Sequence, residues 1–446
     1  MMQLKKKRLL SLTAVTLSIS VLAACSNGAT SNSNSSQSGS SNQSSQITIR
    51  MVESLTSNER TAALQNVINS FESENSNIKV ELISPPFDQA DNKIRTMLSA
   101  KENVDIIEVR DQNVAEFVNN GYIDALDSYA SGWSQFDTVT GVAKSLGSVD
   151  GELYFIPNAI YQRQMYYRAD WLSEADIDVP TSYEELVEAS IALTDPAKNR
   201  YGFSFRGGPG AQGVPDSLIQ AYNVDHIDVG EAVLTTEGKT IYATPEAKAA
   251  LELYLKLYKE GSPPDSINRG FQNQVQAFPS GVTAFILQDP DVIPVFTDSM
   301  EEGTWATTFM PVGPSGKAAI NAGGAGWGIT SHSANKEAAW KLIEYLSSVD
   351  MNTQFSKSYG TVPIHSVATE DEFFKSGPYK TLIDMTAKAD TFINVAPPFN
   401  YPAYGSWSTY SMETGQALLL GQASVEETLA LWDEFWVKGK AEKDAQ

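Results

Sequence analysis

Short apolar strands alternate with amphipathic helices in the N-terminal part of the folded chain. Residues 47–53 (ITIRMVE), 78–83 (IKVELI) and 104–109 (VDIIEV) have the spacing or the short apolar runs of β-strands. Residues 89–103 are predicted to form a helix between the last two strands. The first helix places four apolar residues on one face, namely Leu64, Val67, Ile68 and Phe71. Strands that alternate with helices predict βαβ units and a parallel sheet.

One sequence feature marks the start of the first helix. Thr56 and Glu59 have the spacing of a capping box, which predicts that the first helix begins there.

In an open parallel sheet, ligands bind beyond the carboxyl ends of the strands. Those ends are Glu53 and residues 108–111, so we expect polar ligand contacts at both places.

The rest of the chain continues the mixture of strands and helices. Predicted strands cover residues 153–157, 164–168 and 281–287. Predicted amphipathic helices cover residues 181–193, 245–260, 334–348 and 424–436. Neither an internal repeat nor a second linker is found. Two lobes joined by short crossings are therefore expected.

Composition and charge exclude several classes of function. The chain has 446 residues, 42% of them hydrophobic, and about 400 residues after the N-terminal segment are too many for one small core. Its formal net charge is −22. Nucleic-acid binding requires a basic surface, so this charge argues against a nucleic-acid partner and against adsorption to anionic lipid.

The N-terminal segment has the features of an exported lipoprotein. A basic cluster at residues 5–8 precedes an apolar run at residues 9–24, which predicts a signal peptide over 1–24. Residues 22–25 (LAAC) resemble the lipobox of bacterial lipoproteins, which implies acylation and cleavage at Cys25; the alternative is an ordinary cleavage site with an incidental cysteine. The Ser- and Asn-rich residues 26–46 predict a disordered tether. As the only cysteine, Cys25 has no partner for an internal disulfide.

Catalytic and cofactor motifs are missing from the sequence. The three histidines, His226, His332 and His365, are far apart and have no metal-ligand spacing. Nucleophile-elbow, zinc-protease and Walker motifs are also absent. The sequence therefore predicts neither a cofactor nor a metal, although a carboxylate pair for glycoside hydrolysis stays open.

One formal nucleotide motif occurs at residues 208–213. Its glycines have G-x-G-x-x-G spacing, but Pro209 and Pro215 intrude where a dinucleotide-binding turn would open a helix. We therefore expect a flexible glycine-rich loop here.

Several segments, in this order, resemble the extracytoplasmic solute-binding proteins of ABC transporters, in the sugar-binding family related to maltodextrin-binding protein. The similar segments are residues 104–129, 151–171 (GELYFIPNAIYQRQMYYRADW), 278–293 (FPSGVTAFILQDPDVI) and 323–348. The sequence departs from the family pattern at Arg168–Ala169, at Phe285, and at Asp289 and Asp291, where glycine and an aromatic residue are common.

The resemblance implies an α/β fold of the type II periplasmic-binding-protein class, with a ligand cleft between two lobes. The implied first lobe comprises residues 47–160 plus 324–375, and the second comprises 161–323 plus 376–446. It also implies an oligosaccharide ligand, ABC permease subunits as partners, a monomer and no enzymatic activity. Together with the lipobox at residues 22–25, it predicts a protein held by a lipid anchor on the outer face of the cytoplasmic membrane of a Gram-positive type of bacterium.

Sugar chemistry indicates which residues bind the ligand. Pyranose rings stack on aromatic faces, and their hydroxyls need charged or amide partners. The polar candidates are Glu53, Glu108, Asp111, Tyr161, Arg163, Arg206, Gln288 and Asp289. The stacking candidates are Trp327 and Trp407, the latter expected where a loop enters a helix. The core is expected to contain Trp171, Trp340, Trp432 and Trp436.

Two other functions remain open from the sequence. One is a surface enzyme that acts on glycans. The other is a receptor of the same fold for a peptide, a polyol phosphate or a metal. Arg163 and Arg206 also leave an acidic sugar such as a uronate open.

Overall fold

The protein is described by a computed structural model over residues 46–445. The predicted signal peptide, Cys25 and the tether up to residue 45 lie outside the described residues. None of the helices in the described part of the chain is long and apolar enough to cross a membrane.

The elements follow one another in a mixed α/β order. The strands are β1 (Ile47–Val52), β2 (Ile78–Ile83), β3 (Ile106–Arg110), β4 (Ser148–Val149), β5 (Glu152–Leu153), β6 (Ile156–Tyr161), β7 (Gln164–Arg168), β8 (Tyr201–Phe203), β9 (Thr283–Gln288), β10 (Trp305–Thr308), β11 (Ala318–Ile320), β12 (Gly323–Ile329) and β13 (Phe392–Asn394). The helices are α1 (Asn58–Glu74), α2 (Ala90–Ser99), α3 (Asp111–Asn119), α4 (Asp127–Ala130), α5 (Gly141–Leu146), α6 (Ala169–Ala175), α7 (Tyr183–Ala192), α8 (Gly213–Tyr222), α9 (Pro245–Gly261), α10 (Phe271–Ala277), α11 (Ile293–Ser299), α12 (Lys336–Leu346), α13 (Val349–Tyr359), α14 (Lys380–Thr386), α15 (Tyr404–Leu419) and α16 (Val425–Asp444).

The first lobe is built on a five-stranded sheet with the order β2-β1-β3-β12-β6. Strands β1, β2 and β3 are parallel, and β12 is antiparallel to both β3 and β6. Because side chains alternate across a strand, Met51 faces one core while Val52 faces the other. Helices therefore cover both faces of this mixed sheet, as they do in parallel sheets.

The second lobe is built on a four-stranded sheet with the order β10-β7-β9-β8. Adjacent residues again face opposite sides: Met165 joins the larger core, and Tyr166 joins the smaller one. The larger core includes residues from the C-terminal helices α15 and α16, such as Trp432. The four tryptophans predicted to lie in the core, Trp171, Trp340, Trp432 and Trp436, are buried.

The chain passes between the lobes through short segments. Strand β6 of the first sheet ends at Tyr161, and β7 of the second sheet begins at Gln164. The chain returns between β11, which ends at Ile320, and β12, which begins at Gly323. The lobe boundaries given above stay a prediction, because these strand ends alone do not define them.

One local prediction is wrong, and part of the argument behind a second one does not hold. Helix α1 is capped by Ser57, whose hydroxyl accepts from the backbone N–H of Arg60 at 3.1 Å, so the Thr56 capping box does not form. The glycine-rich segment 208–213 leads directly into α8, which begins at Gly213. Pro215 is tolerated there because a proline in the first helical turn removes no intrahelical hydrogen bond.

Candidate functional site

A cavity of about 330 Å³ lies between the two lobes. On the first-lobe side it is lined by residues 55–57 and 110–112, which follow the carboxyl ends of β1 and β3. From the second lobe it is lined by Gln212, Gly213, Asp216 and Ser217 and by Gln288, Asp289 and Asp291. This location matches the expectation that ligands bind beyond strand ends.

Seven of the predicted ligand residues border this cavity. They are Asp111, Tyr161, Arg163, Arg206, Gln288, Asp289 and Trp407. The structure brings these side chains together from segments far apart in sequence. That they contact a ligand stays a prediction.

Glu53 and Glu108 do not line the cavity, which corrects their assignment as ligand contacts. Both carboxylates are buried and pair with the guanidinium of Arg60, which lies 3.0 Å from Glu53 Oε2 and also donates to Glu108. Burial acts to lower the pKa of Arg60, but Glu108 and its other neighbours raise it, and the net shift is upward. A buried carboxylate must be paired to be tolerated. These two are therefore saturated by the protein itself.

Glu108 nevertheless shapes the cavity wall. Its Oε2 accepts from the backbone N–H groups of Ser54 and Leu55, at 2.6 and 2.9 Å. Leu55 and the following Thr56 and Ser57 line the cavity. Glu108 therefore lies outside the cavity lining and positions the β1–α1 loop.

Trp327 also lies outside the cavity wall. It sits within β12, opposite Glu108 on β3, and its side chain is 2% exposed in the core between the first sheet and its helices. Its ring faces Arg60, whose guanidinium carbon is 5.9 Å from the ring centroid. The alternation of the strand turns this residue toward the core, so the stacking assignment is wrong.

Trp407 borders the cavity but is 1% exposed. It lies in the first turn of α15, where its ring packs against Tyr242, Trp432 and Trp436. Its Nε1 donates to Asp216 Oδ2 at 2.9 Å. The ring is part of the second-lobe core, and little of its face is open to a ligand.

Four other aromatic residues in the cavity wall are more exposed than Trp407. Besides Tyr161, the half-buried rings that line the cavity are Phe87, Phe271, Phe399 and Tyr404. The sequence reasoning missed all four. Phe87 follows β2, so the strand-end rule could have found it. Phe399 and Tyr404 lie near prolines in APPFNYPAY, a loop too rich in aromatic residues to be ordinary solvent-exposed chain.

Carboxylates of the cavity have raised pKa values. Burial raises the pKa of Asp111 to about 6, although the N–H groups of Gly324 and Gln112, at 2.7 and 2.6 Å, oppose the shift. Burial likewise raises the pKa of Asp216 to about 6, against the donated hydrogen bonds of Trp407 and Tyr242. Desolvation disfavours the charged form in each case.

Asp289 and Asp291 form a second acidic group. Burial, and then the neighbouring Asp289, raise the pKa of Asp291 to about 7, while the hydroxyl of Tyr359 donates to its Oδ2 at 3.0 Å. Burial raises the pKa of Asp289, and Arg163 and Arg206 oppose this rise. Two like charges side by side resist simultaneous ionisation.

Two guanidinium groups in the wall, those of Arg163 and Arg206, form no salt bridge with a described residue. They lie against glycines of the segment that opens α8: a Cβ at Gly213 would be 2.3 Å from Arg163 Nη2, and one at Gly210 would be 2.2 Å from Arg206 Nη2. Burial and the charge of Arg163 lower the pKa of Arg206 to about 10. Arginine side chains thus fill the space beside the glycine-rich turn.

Four side-chain oxygens of cavity-lining residues are buried and form no hydrogen bond with another described residue: the hydroxyls of Thr56 and Tyr161, and the acceptors Asn321 Oδ1 and Asp291 Oδ1. Asn321 Oδ1 has no donor, although the amide nitrogen of the same side chain donates to Gln220 Oε1 at 2.6 Å. Asp291 Oδ1 also receives no hydrogen bond from another described residue. A buried acceptor without a donor is unfavourable, so both atoms point to a missing partner such as a ligand hydroxyl.

The arrangement suits a polyhydroxylated molecule. The wall offers carboxylate and amide acceptors, guanidinium donors and aromatic faces within one cavity. Among residues 46–445, no group of three or more His, Cys, Asp or Glu side chains is arranged to hold a metal ion.

Comparison with known proteins gives a consistent result. The family described as bacterial extracellular solute-binding protein matches residues 56–353. A binding protein of Brucella abortus is 24% identical over 319 residues, which are 70% of this chain and 74% of that protein. The galactooligosaccharide-binding protein of Bacillus subtilis is 21% identical over 83% of this chain and 85% of its own length.

Solved structures match over nearly their whole length. Maltose-bound MalE3 of T. maritima has a TM-score of 0.76 and 22% identity, covering 87% of this chain and 98% of that one. An ABC transporter solute-binding protein of Thermotoga lettingae bound with α-D-tagatose has a TM-score of 0.75 and 23% identity, covering 88% and 98%. The predicted two-lobe α/β fold is thereby confirmed.

Proposed function

Because the chain belongs to the bacterial extracellular solute-binding proteins, we propose that it captures a carbohydrate in the cavity between its lobes and delivers it to an ABC-type permease. The observation that carries this proposal is the pair of unmet acceptors, Asn321 Oδ1 and Asp291 Oδ1, in the same cavity wall as the half-buried rings of Phe399 and Tyr404. Hydroxyls satisfy such acceptors, and C–H faces cover such rings. The named relatives that bind maltose, tagatose and galactooligosaccharide support the same class of ligand.

The charges of the wall favour a neutral carbohydrate over a uronate. Arg163 and Arg206 supply two guanidinium groups, and Arg110 is already paired with Asp91 at 3.2 Å. The carboxyls that line the same cavity are Asp111, Asp216, Asp289 and Asp291. In this wall the carboxyls outnumber the guanidiniums that have no carboxylate partner among the described residues. Binding an anionic ligand is therefore less favourable than binding a neutral one, because like charges repel.

A thermal-shift panel of neutral, amino and acidic carbohydrates tests this function. A ligand present at 100 times its dissociation constant adds about 2.7 kcal/mol to stability, so a clear rise in melting temperature with at least one neutral member is expected. The family comprises binding proteins, and we propose that this chain likewise does no chemistry on its ligand. Release of product from an oligosaccharide would instead favour a glycan-acting enzyme. A shift only with peptides, polyol phosphates or metals would favour another solute.

The extracellular location follows from the family, and we propose its finer form: a monomer anchored through acylated Cys25 to the outer face of a Gram-positive cytoplasmic membrane. Residues 1–24 would be removed, and residues 26–46 would act as the tether. The lobes would be bounded as predicted, with 47–160 plus 324–375 against 161–323 plus 376–446.

Cys25→Ala tests the anchor. We expect the variant to be released from the membrane or left uncleaved, because the thiol is the only group that the acylation can use. Ligand affinity should not change, since the substitution lies outside the folded lobes. Membrane fractionation with N-terminal mass analysis measures this. A membrane-bound variant with a mature-size N-terminus would contradict the proposal.

A further inference from the structure

Four planar side chains stack in one row along the cavity wall. The rings of Phe87 and Phe271 lie 5.5 Å apart with an interplanar angle of 26°. The guanidinium carbon of Arg110 is 4.7 Å from the Phe87 ring, and that of Arg206 is 5.7 Å from the Phe271 ring. All four residues border the cavity. We call this row the aromatic bridge.

The aromatic bridge joins the two lobes. Phe87 follows β2 and Arg110 ends β3 of the first sheet, whereas Phe271 and Arg206 belong to the second lobe. The Asp88 side chain also reaches the second lobe here, since a Cβ at Gly270 would be 3.7 Å from its Oδ2. The stack therefore exists only while the lobes are together at this point.

The bridge lies at the edge of the first sheet that is farthest from the β6–β7 crossing. Phe87 follows β2, the edge strand, while Tyr161 ends β6, the opposite edge strand. Four strand spacings of about 4.8 Å separate these edges, which is roughly 19 Å. The cavity thus has the crossing at one side and the aromatic bridge at the other.

Each half of the bridge is held by its own lobe. Arg110 donates to the backbone oxygen of Ser54 and pairs with Asp91 at 3.2 Å. Arg206 donates to the backbone oxygen of Pro209. The ring of Phe87 belongs to none of the hydrophobic cores of the described residues, so packing within its own lobe does not explain its position.

We propose that the aromatic bridge closes this end of the cavity and sets the upper length of the carbohydrate that the closed protein holds. The inference rests on the proposed function. The faces of Phe87 and Phe271 cover each other, so a sugar unit that extended past them would have to separate the rings and the lobes. A cavity of about 330 Å³ lies at the low end of the usual range for ligand sites, which agrees with a short ligand.

Calorimetry with graded sugars tests this inference on the whole protein. The probes are glucose, maltose, maltotriose and maltotetraose, with the matching β-1,4-galactose series. We expect the native protein to lose affinity beyond a certain length. The length limit is measured as a ratio: the dissociation constant of the shortest sugar that binds poorly, divided by that of the longest sugar that binds well. Phe87→Ala should lower this ratio by about tenfold or more, because the ring that sterically rejects the longer sugar is removed.

Two further variants make the result specific. Phe271→Ala removes the other ring, so it should change the length profile in the same direction even if Phe87→Ala folds poorly. Phe399→Ala is the matched control, because Phe399 is also half-buried in the cavity wall but is not part of the bridge. It should change affinity for all lengths alike and leave the ratio unaltered.

Each outcome decides a different claim. If sugars bind and neither Phe87→Ala nor Phe271→Ala alters the length profile, the length limit is overturned and the proposed function stands. An equal change in the ratio for Phe399→Ala would also overturn it, because any enlargement of the cavity would then suffice. If no carbohydrate in the series or the screening panel binds, the proposed function fails and this inference fails with it.

Discussion

At the scale of single residues, the cavity is built from groups that the protein satisfies only in part. Asp216 receives hydrogen bonds from Trp407 and Tyr242, at 2.9 and 3.1 Å, whereas Asn321 Oδ1 receives none. Groups such as Asp216, whose hydrogen bonds are made within the protein, hold the cavity wall in place. Groups such as Asn321 Oδ1, which lack a donor among the described residues, are free to bind a ligand. This difference separates structural from binding residues more sharply than residue type does.

Trp407 is a structural residue by this criterion. Trp407→Ala is expected to lower the free energy of unfolding by about 3–5 kcal/mol, because the buried ring leaves a void and Asp216 loses a donor. Chemical denaturation measures the change. Trp407→Phe is the control, since it keeps most of the packing and removes only the Nε1 donor. Native stability combined with a large loss of affinity would instead identify the ring as an open stacking surface.

The raised pKa of Asp291, about 7, predicts a pH dependence with opposite signs for binding and for folding. Burial and the neighbouring Asp289 disfavour its charged form, so a fall in pH from about 8 to about 5 protonates it and weakens a charge-assisted bond from a ligand hydroxyl. Carbohydrate affinity should therefore fall across this range. Calorimetry at several pH values measures it, and Asp291→Asn should remove the part of the slope near pH 7. An affinity of the native protein that is independent of pH would contradict the role of Asp291.

Folding stability responds to Asp291 in the other direction. Its pKa in the folded protein lies above the value of about 3.9 in an unfolded chain. The resulting contribution to stability is complete below about pH 4 and is lost as the pH rises through about 7.

At the scale of elements, the sequence predicted those whose hydrophobic period is strong. The bounds of β2 and β7 agree with the prediction, and the periodic helices near residues 64–71 and 245–260 are present. For helix α15 the sequence predicted only the start. Its buried residues include Trp407, Ser411 and Gly415, and this mixture of aromatic, polar and small residues does not form a clear apolar stripe. The strand predicted at residues 153–157 is displaced from β6, which covers residues 156–161. Both segments are apolar enough to be a buried strand, so the pattern does not distinguish them.

The site was harder to predict than the elements. Asp111 and Asp289, which border the cavity, could be selected because they follow strands, and strand ends are visible in the sequence. Glu53 and Glu108 satisfy the same rule but are neutralised by Arg60, which lies on α1 and whose approach no local pattern reveals. Trp327 was misplaced because the predicted elements did not include β12, whose alternation turns the ring inward.

Helix α8 offers a test at this scale. In Gly213→Ala, the new Cβ would lie 2.3–2.4 Å from the guanidinium nitrogens of Arg163, so the guanidinium should be displaced. Ligand affinity should then fall by about tenfold, because one charged hydrogen bond to the ligand is lost. Stability should change little, because the end of a flexible side chain yields easily. Gly141→Ala is the matched control, since Gly141 begins α5 with open space around its Cβ position. Native affinity in Gly213→Ala would contradict a ligand role for Arg163.

At the scale of the whole molecule, the lobes contact each other on more than one side of the cavity. Phe87 meets Phe271 at the aromatic bridge, and the hydroxyl of Tyr359 donates to Asp291. The chain also crosses between the lobes in short segments such as 161–164. Short crossings permit rigid-body rotation of two well-packed lobes.

Ligand is therefore expected to favour the closed arrangement of the lobes. Small-angle scattering should show a smaller radius of gyration with saturating carbohydrate than without it. A sugar that gives no thermal shift serves as the control and should leave the radius unaltered. An unchanged radius with a bound carbohydrate would contradict hinge closure.

The position of β12 in the first sheet has a consequence for how the chain is made. Gly326 pairs with Val109, and this strand lies between β3 and β6, which are both synthesised long before it. Until residues 323–329 emerge, β3 and β6 have unpaired edges that are prone to aggregate. A growing chain therefore cannot complete its first lobe, and folding after secretion must wait for contacts between distant segments, which slows it. A truncated chain that ends before Gly323 should consequently be insoluble, even though it contains every strand of the N-terminal βαβ units.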